Sequence, residues 1–242
     1  MRTMPNPRAA MKTVGARASS AVGGPFQWVA ALRNGRVFHP DGVLTTGSVE
    51  RTAPPGDGLP VETTHDVVAR LSKGLGLPGA VPDIIGLAVR LPPQPSAATP
   101  WDILLASAGT GPAGRVVGVR PALRWSGQPL SSVMPVRYHN RNWWISARMV
   151  ADVNGLGVPL ARVRDRLRDS GVRFDIDQAC GAQPFRPLAR LTLRGVVPSD
   201  AAHDVAFDPV LHVAPGVRPV PQWLASLRAH AYDRSRRGRH AG

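Results

Sequence analysis

Proline and glycine punctuate this chain so densely that regular structure must come in short pieces. There are 25 of each among 242 residues. A proline inside a helix removes a hydrogen bond and a glycine there adds backbone entropy, so closely spaced ones favour strands and turns over long helices. Apolar residues make up 43% of the chain, enough for a buried core. The length suits one large domain. The expectation is an α+β chain dominated by strands. Residues 1–24, rich in Ala, Arg, Ser and Gly, are expected to be a flexible or loosely docked N-terminal segment, and residues 25–242 a single domain.

Strand signals recur along that domain. Residues 36–52 read as two short strands bent at Gly42 and Gly47, glycines that permit a bulge or a close backbone approach. Six β-rich runs follow in HDVVARLS, DIIGLAVRL, WDILLAS, RVVGVRP, SVMPVRYHN and NWWISARMV, with a further strand in PLARLTLRG. So many strands at short spacing suggest a barrel. Leu156, Leu160, Val163 and Leu167, closed by Gly171, predict a helix over 156–170; Trp223, Leu224, Leu227 and Ala231 predict another from Pro221 to about Arg237.

The net charge of +14 would suit an anionic partner. It is spread along the chain as single arginines, which points to a compositional bias rather than to a specific nucleic-acid site. The lone cysteine, Cys180, excludes an internal disulfide and a cysteine-based metal site, and reads as a structural thiol. No run of residues is long and apolar enough for a membrane span or a signal-peptide core, so a soluble, cytoplasmic protein is expected.

Two constellations carry chemistry. Near the start, Arg36 precedes His39 by three residues, and Gly42 and Gly47 follow. A histidine there can exchange protons near neutral pH. A second constellation lies near the end: Phe207-Asp208-Pro209, Pro215-Gly216, then Arg228, Tyr232 and Arg239. On a helix turning about 100° per residue, Tyr232 lies roughly 40° and Arg239 roughly 20° around from Arg228, so the three share a face.

Both constellations resemble the haem catalases. The first is similar to that family's distal-histidine strand, with Val49-Glu50-Arg51-Thr52 continuing it. Arg70-Leu71-Ser72 resembles its second arginine and serine, and Asp83 to Arg90 and Trp101-Asp102 resemble the strands that come next. The last segment resembles the run that carries the proximal tyrosine. Together these cover about Arg36 to Ser107 and about Phe207 to Arg239.

The resemblance implies an antiparallel β-barrel of the catalase type with a few helices, including a C-terminal helix that carries Tyr232. It implies ferric haem b as cofactor, with Tyr232 as the iron ligand and a phenolate favoured by Arg228 and the ferric ion. Arg36, Arg70, Arg228 and Arg239 would serve as the cofactor's charge partners, His39 as general acid and base, and Ser72 as the group that orients its ring.

Ser107 stands where catalases place an asparagine. The shorter side chain implies peroxidase-type activity on hydrogen peroxide or organic hydroperoxides, with weak catalase activity at most. The chain is also shorter than a typical catalase and resembles the small catalase-related proteins, including the allene oxide synthase branch. Its partners would be the hydroperoxide and, in a homo-oligomer, further copies of itself. The alternatives are a haem-binding or sensing protein of the same fold, a metal-dependent hydrolase such as a phosphodiesterase using His39, Asp41, His65 and Asp66, and nonspecific nucleic-acid binding.

Overall fold

The computed structural model describes residues 42–78, 81–109, 111, 118–132, 134–151, 153, 157–198 and 205–220. The expectations for the N-terminal segment, for Arg36, His39 and Asp41, and for the C-terminal helix with Arg228, Tyr232 and Arg239 lie outside the described residues.

The strands are β1 (Gly42–Arg51), β2 (Thr64–Lys73), β3 (Ile85–Leu91), β4 (Trp101–Ser107), β5 (Pro129–Ser131), β6 (Val136–Tyr138), β7 (Arg141–Met149), β8 (Val172–Cys180), β9 (Arg186–Arg194) and β10 (Arg218–Pro219). The single helix among the described residues is α1 (Leu160–Asp169). Every strand pair is antiparallel. Strands β1, β2, β3, β4, β5, β7, β8 and β9 follow one another around a wall that closes where β9 pairs with β1. A closed eight-stranded barrel results, which leaves these strands no free edge. The first half of β7 also pairs with β6, and β6 with β10, forming a ribbon that stands off the wall.

Alternation along the strands sets which way each side chain faces. Val67, Ala69 and Leu71 of β2, Leu87 and Val89 of β3, and Ile103 and Leu105 of β4 point inward and pack with Trp125, Ile145, Phe174 and Leu191 into one large core. In the described part of residues 36–52, β1 runs as one strand from Gly42 to Arg51, with a register irregularity between Gly47 and Val49. Gly47 is required there because a Cβ would meet the Thr192 carbonyl oxygen at 2.1 Å. At Gly42 a Cβ would lie 2.8 Å from the Arg70 side chain.

Elsewhere the structure departs from the sequence reading. RVVGVRP is not a strand in its described part: Val119 makes one isolated bridge to Ala108. SVMPVRYHN contributes only β6, because Pro135 has no N–H to offer a ladder. β8 was not anticipated. The helix begins at Leu160 rather than at 156, since Pro159 holds an extended conformation and disfavours helix in the residue before it. It ends as expected, with Gly171 at a φ of 79° donating its N–H to the Arg166 carbonyl.

One arginine shows how this residue type builds the fold. Arg51 directs all its donors at backbone carbonyls, those of Ala53, Pro54, Asp57, Leu59 and Val61, and so fixes the loop after β1. No helix among the described residues is long and apolar enough to cross a membrane.

Asp177, on the outer face of β8, gives a test of pH dependence. Its pKa is raised above the ordinary 3.8, chiefly by burial, with Arg148 opposing and Asp175 reinforcing the rise. A raised carboxyl pKa means the folded state holds its proton more tightly than the unfolded one. This contribution to stability is therefore present at low pH and declines as pH rises from about 4 through the folded value. Asp177→Asn is expected to raise stability at pH 7 by less than about 1 kcal/mol, the group being partly solvated. The gain should shrink as pH falls towards 3.5, as measured by denaturant unfolding across that range.

Candidate functional site

The candidate site lies on the outer face of β1 to β4. Directly opposed residues share a face, so the strand register arranges this wall in rows. The first row runs Gly42, Ser72, Gly86, Ala106 and continues to Ser131 of β5. The second is Leu44, Arg70, Ala88 and Leu104, and the third is Thr46, Val68, Arg90 and Asp102. A segment from the far end of the chain, residues 205–212, docks on the second and third rows. Phe207 packs with Leu44 and Ala88 in a small apolar cluster separate from the main core. The guanidinium groups of Arg70 and Arg90 lie over its ring, 5.7 Å and 5.3 Å from the centroid.

Asp102 is the hub. Its side chain is fully buried, and a buried carboxylate is stable as an anion only when its oxygens accept enough hydrogen bonds. Arg90, directly across the ladder, donates to both oxygens at 2.7 Å. The Asp208 backbone N–H donates at 2.7 Å, and His212 Nδ1 lies 2.7 Å from the same oxygen. An acceptor that close places the proton on Nδ1, so the 3.1 Å approach of Arg90 Nη2 to that nitrogen is a contact rather than a hydrogen bond. Arg90 also donates to the Ala206 carbonyl. The segment reinforces itself as well: Asp208 Oδ1 accepts from the N–H groups of Val210 and Leu211, and the Asp102 N–H donates to the His212 carbonyl.

The structure thus brings together Arg70 and the Phe207-Asp208-Pro209 run, although Asp208 and Asp102 are 106 positions apart. Ser72 lies two residues beyond Arg70 on the same face and is buried. Ser107 ends β4 at the same end of the barrel but points inward. Its hydroxyl accepts from the Ile85 N–H and donates to the Arg120 carbonyl, so it ties three segments of backbone together. Ser72 and Ser107 therefore face opposite sides of the wall. Ser131, in the first row, has a buried hydroxyl with no hydrogen-bond partner.

His65 and Asp66 are exposed, consecutive residues of one strand, whose side chains leave on opposite faces. Among the described residues no group of three or more His, Cys, Asp or Glu side chains is placed to hold a metal ion. Cys180 is half-buried against the core.

His212 was not legible as a site residue. It belongs to no motif, and its carboxylate partner lies 110 positions away. Arg90 and Asp102 stood within recognised segments, yet only the β3–β4 register reveals that they pair. No protein-family model matches the chain, and no curated protein matches it.

Proposed function

We propose that this chain is a haem protein of the catalase type that reacts with hydrogen peroxide or organic hydroperoxides. The supporting observation is convergence. The described parts of the two stretches that resemble the catalase haem pocket, remote in sequence, meet on one outer face of a closed antiparallel barrel.

The wall suits a flat group. No side chain in the row from Gly42 to Ser131 is larger than serine, and the Ser131 hydroxyl is unpartnered. The donor set also fits. Tyr232 offers a phenol oxygen for a ferric ion, with Arg228 favouring its phenolate form, and Arg36, Arg70 and Arg239 offer guanidinium forks for two propionates. Bound haem would supply a ferric centre whose anionic oxygen ligand favours cleavage of a peroxide O–O bond. His39, three residues before Gly42, would take the proton from the peroxide and return it to the departing oxygen. Ser72 would steady the imidazole through its other nitrogen. Since the Ser107 hydroxyl is engaged by backbone, peroxide lacks the side-chain anchor that asparagine gives in catalases. Peroxidase-type turnover with weak dismutation follows.

The test is to reconstitute the protein with haem and supply hydrogen peroxide or an organic hydroperoxide with a reducing co-substrate. Oxidation of the co-substrate is the expected result. Haem retained without turnover would restrict the protein to haem binding or sensing, and failure to take up haem would overturn the reading.

A further inference from the structure

An open groove lies on the ribbon formed by β6, β10 and the start of β7. The turn between β6 and β7 has both central residues, His139 and Asn140, at positive φ, as a tight two-residue hairpin requires. The His139 ring stacks on Tyr138, with centroids 4.0 Å apart. Beside them, Arg137 of β6 and Arg218 of β10 stand directly opposite each other in the ladder. Both are exposed, and no described Asp or Glu is ion-paired with either. Like charges opposed across an antiparallel pair are destabilising. β10 is only two residues long, so few ladder bonds offset that repulsion.

The two arginines, with Tyr138, His139, Pro219 and Val220, line this groove of about 550 Å³, and none of its described lining residues is acidic. By contrast, Arg51 is engaged by carbonyls, Arg90 by Asp102 and Arg186 by Asp57. Opposed cations over a groove with no acidic side chain among its described residues suit a multiply charged oxyanion that accepts from both guanidinium forks. The volume exceeds that of a phosphate group and leaves room for an organic portion against the rings, Pro219 and Val220. We propose that this groove binds a small organic phosphate, its phosphate held between Arg137 and Arg218.

Calorimetric titration of the full chain with phenyl phosphate at low salt tests this. Saturable one-site binding is expected, and Arg137→Gln and Arg218→Gln should each weaken it about tenfold, the loss of a charge-assisted hydrogen bond. Without ligand, both variants should melt no lower than the parent, because each removes a repulsion. Arg168→Gln, the same charge loss on α1, should leave binding unchanged. Absence of saturable binding, or equal weakening by all three substitutions as for a diffusely basic surface, would overturn the proposal.

Discussion

Replacing Asp102 with alanine is expected to destabilise the protein by about 3–5 kcal/mol, the cost of breaking a buried ion pair from one side. Domains of this kind are stable by only about 5–15 kcal/mol in total. The loss falls on named groups. Arg90 forfeits both carboxylate contacts in a partly buried position, while the Asp208 N–H and His212 Nδ1 lose their acceptor. Asp102→Asn should recover little, since a neutral amide turns a donor toward groups that themselves donate. Residues 205–212 are anchored chiefly through this carboxylate and Phe207, so their amides should exchange with solvent much faster in the variant. Denaturant unfolding and amide exchange would read the two effects. A loss under about 1 kcal/mol with unchanged exchange would mean that Asp102 does not anchor the segment.

In haem-loaded protein, His39→Ala is expected to lower peroxide turnover by about 10²–10⁴-fold, the range for a positioned general acid and base. The haem should stay bound, because the histidine is proposed to handle the proton rather than to hold the iron. Ser72→Ala should cost less, about tenfold or somewhat more, as it would act only through the orientation of the ring. The ratio of the two losses separates a proton-transfer role from a packing role. Equal turnover in parent and His39→Ala would remove the histidine from the mechanism.

Most of the barrel wall could be read from alternation. β2, β3, β4, β7 and β9 coincide with runs whose apolar residues fall at every second position. β8 carries the same signal, Val172, Phe174 and Ile176 alternating with Arg173, Asp175 and Asp177, although the sequence reading placed no strand there. Helix α1 was legible from its apolar face and closing glycine, and its start was misjudged because Pro159 overrode the periodicity. Gly47 announced a close approach, though its partner, the Thr192 carbonyl, could only come from the β1–β9 register. The site divides along the same line. Local motifs exposed Arg70, Ser72 and the Phe207 run, whereas the Arg90, Asp102 and His212 cluster depends on strand pairing and on a docking contact that leave no local pattern.

Tyr232 is proposed to bind haem iron, and an absorption spectrum tests this most directly. Protein expressed with a haem precursor is expected to show a Soret band with ferric phenolate charge-transfer features, and Tyr232→Phe should lose those features and much of the haem. No haem in either protein after reconstitution, or an unchanged spectrum in Tyr232→Phe, would contradict it.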